Sequence, residues 1–421
     1  MKFKKALSHT ILLKTINTIC NFAINLLIVR LLGVADSGHF FYTISILALV
    51  NLLIGLCIEN GITYYANKYP GQIKKISIAV FFLLIIQSLL SWLVFSVLPI
   101  SFPIGIATLF VVGYMAINYF TAIFTAQKKY IAVNLIPVIV NLVFVSWLCY
   151  CLFNTSAGSA FTQVHFIEIY IASILLQAIL LILHFFVFPS VTLQDSLWHP
   201  GLGVKILKFS LMVFLGNLIY FLVLRIDYYF TEKYCDAIAF SNYIQVSKIG
   251  QMLLLLPSMA ATVIFPYTAS EESHFMLAAT LRSLRIFLTI YILIALALIA
   301  GGYWIFPFLF GNAFGKMYLP LLLLLPGILF LTVMTVLSAY LDGIKKLWYP
   351  IVGNLIALIS IAILDYLFIP VWGIYAAATI SSIGYFLCTA FTCFWFFKFS
   401  GADLKDIFKL NLADFSFIRN T

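Results

Sequence analysis

The stretch Phe209-Ser210-Leu211-Met212-Val213-Phe214-Leu215-Gly216-Asn217-Leu218-Ile219-Tyr220-Phe221-Leu222-Val223-Leu224-Arg225-Ile226-Asp227-Tyr228-Tyr229-Phe230 is apolar over the length of one membrane-spanning helix. Such a helix needs about 20 residues. Two charges, Arg225 and Asp227, nevertheless stand near its end. After a short polar break (Glu232, Lys233, Asp236) a second apolar run begins. It carries Lys248 near its middle and closes through Leu256-Pro257 and Phe265-Pro266. A charge within a span costs at least about 2.5–3.5 kcal/mol on insertion scales, so it faces a partner or a wet cavity and marks a pathway. Two cations and one acid here set what the rest of the chain must accommodate.

Of the 421 residues, 64% are apolar and 9% charged, against about 25% charged in a soluble domain. A chain this apolar cannot cover itself with polar surface. The alternating pattern of a membrane barrel is absent. The spans are therefore helices, in which each backbone group is satisfied within its own segment. The apolar runs predict about twelve of them, over 8–32, 40–58, 76–98, 104–126, 131–153, 166–188, 209–230, 238–266, 284–306, 318–341, 347–369 and 373–397.

Charge placement sets the topology. With twelve spans, eighteen of the 24 Lys and Arg fall in segments on one side of the membrane, three (Arg30, Lys233, Lys316) on the other, and Lys14, Arg225 and Lys248 inside spans. Positive loops stay cytoplasmic, so both termini are expected there. The net charge of +10 is mostly this sorting signal, and no nucleic-acid partner is expected. The first apolar run holds Lys14, Asn17, Asn21, Asn25 and Arg30, which reads as a retained helix and not a cleaved leader.

Other function classes find little support. Six of the seven cysteines lie in apolar runs and Cys235 in a short loop, with no zinc spacing. The six histidines are scattered. Neither metal site nor cofactor is expected. The longest external loop, Asn154 to His165, is too small to hold a catalytic domain, so an enzyme such as a sugar polymerase or ligase is the remote reading.

Twelve spans divide as two sixes, with residues 1–190 and 209–397 as bundles, 191–208 as a cytoplasmic linker and 398–421 as a cytoplasmic segment on the membrane surface. Leu27-Ile28-Val29-Arg30 and Leu222-Val223-Leu224-Arg225 stand six spans apart, each followed by an Asp and a Phe. So do the loops Gln127-Lys128-Lys129 and Ile344-Lys345-Lys346. An even spacing predicts parallel repeats, which place substrate between the halves and move by rocking.

Several of these residues resemble one family. Val29-Arg30-Leu31-Leu32-Gly33 through Gly38 is similar to the end of the first helix in polysaccharide flippases. Arg225-Ile226-Asp227 resembles their seventh-helix signature, Pro257 and Pro266 the proline pair of the eighth helix, and Leu309-Phe310-Gly311 the turn after the ninth. Leu367-Phe368-Ile369-Pro370 through Ala377 is similar to the turn before the twelfth, with Tyr375 where a Gly is common. The family is the Wzx-type O-antigen and exopolysaccharide flippases, in the superfamily that also holds multidrug exporters and the peptidoglycan lipid flippase. The resemblance implies an all-α integral membrane protein, with two six-helix bundles around a central cationic cavity. It implies a cargo, an undecaprenyl-pyrophosphate-linked oligosaccharide crossing the bacterial inner membrane to the periplasmic leaflet. It also implies possible partners, a polysaccharide polymerase and a chain-length regulator. The alternative is an exporter of drugs or other lipid-linked precursors with the same fold.

Such a cargo needs fixed cations for its diphosphate, and a guanidinium can donate two parallel hydrogen bonds to a phosphate. Arg225 and Lys248 are the first choices, with Arg30 and Lys14 from the other half. The alternatives are pairing of Arg225 with Asp227 and snorkelling of Lys14 to the interface. Asn17, Asn21 and Asn25 recur every four residues and form one stripe on a helix, either lining the cavity or joining helices. Glu59, Asp227 and Asp365 are acids in or at the ends of spans, available for proton coupling or for pairing with cations.

Overall fold

A computed structural model describes residues 2–98, 102–154, 162–187, 200–269 and 273–408. The first half of the expected linker (191–199 of 191–208), most of the external loop (155–161) and most of the expected C-terminal segment (409–421 of 398–421) lie outside the described residues. Among the described residues every regular element is a helix and no strand occurs. The chain is an all-α, multi-pass membrane protein. In order, the helices are α1 (Lys2–Gly55), α2 (Ile58–Lys68), α3 (Ile73–Val97), α4 (Ile104–Ala126), α5 (Tyr130–Phe153), α6 (Gln163–Val187), α7 (Leu202–Val223), α8 (Ile226–Tyr234), α9 (Ala237–Leu253), α10 (Leu255–Ala269), α11 (Ser273–Phe310), α12 (Tyr318–Gly343), α13 (Trp348–Ser400) and α14 (Leu404–Phe408).

Nine helical stretches among the described residues are long and apolar enough to cross a bilayer. Two are of double length. α1 has 54 residues and α13 has 53. As straight helices each would run about 80 Å, more than twice the hydrocarbon thickness of about 30 Å. Each breaks instead at a glycine in the left-handed region, Gly33 (φ 76°) and Gly373 (φ 56°), where a Cβ would be strained. These glycines fall between the first and second and at the start of the twelfth expected spans. The run expected over 238–266 is also present, but divided into α9 and α10, each too short to count alone.

That division has a local cause. Pro257 has no N–H to give the carbonyl four residues before it, and its ring crowds that carbonyl. The amide of Leu254 turns to the carbonyl of Gln251 at 3.2 Å, one residue closer than in a regular α-helix. Two other spans break without a proline or a left-handed glycine at the break, although Gly55 closes α1. Between α1 and α2, Leu56 (φ 49°) and Cys57 (φ 52°) are both left-handed, a strained conformation for residues with a Cβ. Between α7 and α8 the chain leaves the helix at Leu224 and Arg225. The second expected span, placed over 40–58, in fact continues past its break as α2 to Lys68.

The chain forms two compact units, residues 1–218 and 219–421. In the first, Phe40, Phe110, Tyr119, Phe120, Phe124 and Phe166 are fully buried. In the second, Phe240, Tyr243, Phe314 and Phe396 take that place. Water does not drive helices together inside lipid, so close contact at small residues does. Gly327 on α12 is an example: a Cβ there would lie 2.7 Å from the Cα of Ser382 on α13. Apart from Ser96, the exposed residues of α3, among them Phe82, Leu89, Trp92 and Val97, are apolar and suit a lipid-facing surface.

Candidate functional site

Three charged residues of the C-terminal unit, Arg225, Asp227 and Lys248, stand at or on α8 and α9, and a fourth, Asp365, lies on α13. Asp227 lies in the first turn of α8 and is 1% exposed. Its Oδ2 accepts hydrogen bonds from the hydroxyl of Tyr243 on α9 and from Ser381 Oγ on α13 at 3.1 Å. Its Oδ1 has no hydrogen-bond partner. Asp365 on α13 is fully buried, and neither of its oxygens has a hydrogen-bond partner. The two acids are close enough to repel each other. Three carboxylate oxygens are thus enclosed without a donor, although buried polar groups are as a rule hydrogen-bonded.

Arg225 stands at the break before α8. Its guanidinium lies over the ring of Phe221, 4.3 Å from the centroid, and its Nη2 donates to Gln251 Oε1 at 3.0 Å. Gln251 Nε2 points on to Tyr228 Oη at 3.3 Å and Ser247 Oγ at 3.2 Å. Lys248, half-buried on α9, is near enough to Arg225 for the positive charges to interact. Arg225, Asp227, Lys248 and Asp365 therefore belong to one polar interior of one unit. Asp227 takes hydrogen bonds from Tyr243 and Ser381, while Arg225 turns to the neutral Gln251.

The remaining expected residues lie in the N-terminal unit. Lys14 and Asn21 are exposed on α1, Asn17 is half-buried, Asn25 is 4% exposed and Arg30 is exposed. Asn141 on α5 donates to Asn17 Oδ1 at 2.9 Å and to Asn21 Oδ1 at 3.3 Å. Gln177 on α6 donates to Asn141 Oδ1 at 3.2 Å. Asn17 and Asn21 thus join α1 to α5 and, through Asn141 and Gln177, to α6, while Lys14 and Thr18 are exposed. Glu59 is half-buried on α2, with Asn60 Nδ2 at 3.4 Å from its carboxylate.

Sequence reasoning passed over Tyr243, Ser381, Gln251, Gln87 and Tyr119. Gln87 Nε2 on α3 donates to the carbonyl of Ile54 at 3.1 Å, beside the left-handed break. Tyr119 on α4 holds Gln87 through its Oε1 at 2.8 Å. A polar glutamine within the apolar run Phe81–Val97 was the one available sign. No group of three or more His, Cys, Asp or Glu able to hold a metal occurs among the described residues.

No family model matches the sequence, and no curated protein matches it. Solved structures match the fold. A multidrug resistance MATE family transporter of the MOP superfamily, in its outward-facing conformation, aligns with a TM-score of 0.65 at 14% identity, over 94% of this chain and 96% of that one. Lipid II flippase MurJ, in an inward closed conformation, aligns at 0.65 and 15% identity, over 97% and 95%. A MOP superfamily transporter from Pyrococcus furiosus, described by a binding pocket of reverse polarity, aligns at 0.62 and 14% identity, over 97% of both chains. Identity this low establishes the fold alone, which is that of these membrane transporters along nearly the whole chain.

Proposed function

We propose that this chain is a Wzx-type flippase. It carries an oligosaccharide, linked through pyrophosphate to undecaprenol, from the cytoplasmic to the periplasmic leaflet of a bacterial inner membrane by alternating access. Both termini are cytoplasmic. A polysaccharide polymerase and a chain-length regulator are the partners that would receive its product. The observation that carries the reading is the pair of cations at membrane depth, with Arg225 held by a neutral partner beside a break in its span. A guanidinium held this way retains donors for a planar, doubly charged phosphate group. Within the N-terminal unit, Lys14 and Arg30 on α1 are exposed cations of the kind an anionic cargo takes. Asp227 and Asp365 carry the coupling proton on oxygens that no protein donor occupies. These acids favour a second reading, export of a cationic compound, for which they would be the cargo site.

Complementation separates the two. The chain is expressed in a Gram-negative strain lacking its own O-antigen flippase but making the matching sugars, and surface lipopolysaccharide ladders are stained. The flippase reading expects a ladder with the wild type and none with Arg225→Ala or Lys248→Ala at equal membrane abundance. No ladder from an abundant wild type, together with a gain in resistance to cationic drugs, would favour the exporter.

A further inference from the structure

Two spans of the C-terminal unit break, and one side chain ties the breaks together. Arg225 is the residue at which α7 gives way to α8. Gln251 lies three residues before Leu254, where α9 gives way to α10, and its carbonyl accepts the Leu254 amide at 3.2 Å. Its side chain reaches back to the other break. Gln251 Oε1 accepts from Arg225 at 3.0 Å, and Nε2 lies 3.3 Å from Tyr228 Oη in the first turn of α8. A cavity of about 10 Å³ sits at the same place, lined by Leu224 and Leu254 from the two breaks together with Ser247, Gly250, Gln251 and Tyr385. That is about the size of one water molecule, and it leaves the break residues incompletely packed on one side. Broken helices whose halves have more than one packing are the usual moving parts of such transporters.

We propose that Gln251 is a positioning residue for Arg225 and a latch between the two breaks, released when a phosphate-like anion takes the guanidinium. This rests on reading Arg225 as the anion-binding group. A neutral amide oxygen accepts one hydrogen bond from Arg225, whereas an anionic oxygen pair accepts two stronger ones. An anion arriving at Arg225 therefore displaces Gln251, and both spans lose their shared tie. Occupancy of the anion site is converted in this way into freedom at α7–α8 and α9–α10 together.

Hydrogen–deuterium exchange on the full chain in nanodiscs tests this, with inorganic pyrophosphate as the probe. In the wild type, pyrophosphate speeds exchange of residues 224–228 and 254–258 together. Gln251→Ala shows the faster exchange without pyrophosphate, by about tenfold or more, as loss of a hydrogen bond to a charged group implies. Gln251→Glu closes the latch with an ion pair, so exchange slows at both breaks and pyrophosphate no longer alters it. A glutamine that only supported packing would make both variants faster. Wild-type exchange at 224–228 in Gln251→Ala, or faster exchange there in Gln251→Glu, overturns the latch. Loosened breaks in Gln251→Ala with a wild type indifferent to pyrophosphate overturn the anion trigger, and with it the reading of Arg225, while leaving the tie between the breaks in place.

Discussion

In the N-terminal unit, Asn17, Asn21, Asn141 and Gln177 are neutral amides that bind one another across α1, α5 and α6. In the C-terminal unit, Asp227 and Asp365 are buried acids, with three carboxylate oxygens lacking hydrogen-bond partners. Both arrangements put polar groups at membrane depth, but their energies differ. Interhelical hydrogen bonds in a membrane average about 0.6 kcal/mol each, so the amide network is modest glue. A charge at the centre of a span costs at least about 2.5–3.5 kcal/mol, and an enclosed carboxylate without donors recovers little of that. The first network is explained by holding helices together. The second is explained by work that needs groups able to gain and lose a partner.

The comparison breaks most readily at Arg225. Arg225→Ala should lower transport about a hundredfold, the upper end of what a hydrogen bond to a charged group supplies. Asn141→Leu should leave transport within about twofold. Matched flipping assays on both variants, normalised to abundance, decide it; equal losses would mean that the units do not divide the labour.

Asp365→Asn separates function from stability. The amide keeps the size of the protonated acid and is neutral like it, so thermal stability should stay within about 1 kcal/mol. The same change should remove the response of transport to collapse of a proton gradient. A lower melting temperature would show that Asp365 is paired in the folded protein. Retained gradient dependence would remove it from coupling.

Gln87→Leu asks whether the break between α1 and α2 depends on its tether. The Ile54 carbonyl would lose its side-chain donor, at a cost of about 1–3 kcal/mol. Differential scanning fluorimetry should record a lower midpoint, and an unchanged midpoint would mean that the break holds itself. The smallest effect is the stability cost of Asn141→Leu. Its three hydrogen bonds predict about 2 kcal/mol in total, and a loss well above that would make the amide network a keystone of the unit.

What the sequence revealed follows from which signals are strong. Runs of about 20 apolar residues place the spans, and Gly33 and Gly373 divide the two longest helices. The break at Leu254 was implicit in Pro257, although the run was expected as one span. The breaks at Leu56–Cys57 and Leu224–Arg225 carry a weaker mark, Gly55 before the first and neither proline nor glycine at the second, and a tertiary hydrogen bond stands beside each. Charges stand out in an apolar run, so Arg225, Asp227, Lys248 and Asp365 were visible beforehand. Their partners Tyr243, Ser381 and Gln251 were not, since a tyrosine, serine or glutamine in a span more often packs than functions. The asparagine period on α1 was legible as a stripe, but its partner Asn141, 120 residues away from Asn21 in the chain, could be assigned only from the structure.

Flipping itself is the central claim. The purified chain would be reconstituted into liposomes with an undecaprenyl-pyrophosphate-linked oligosaccharide bearing a labelled terminal sugar, and loss of that sugar to an impermeant glycosidase would be followed over time. The account predicts that wild-type protein exposes the protected inner-leaflet pool, while Arg225→Ala leaves it protected at equal protein incorporation. An inner pool that stays protected with well-folded wild type under an imposed proton gradient, or that Arg225→Ala exposes as fast as wild type, would contradict it.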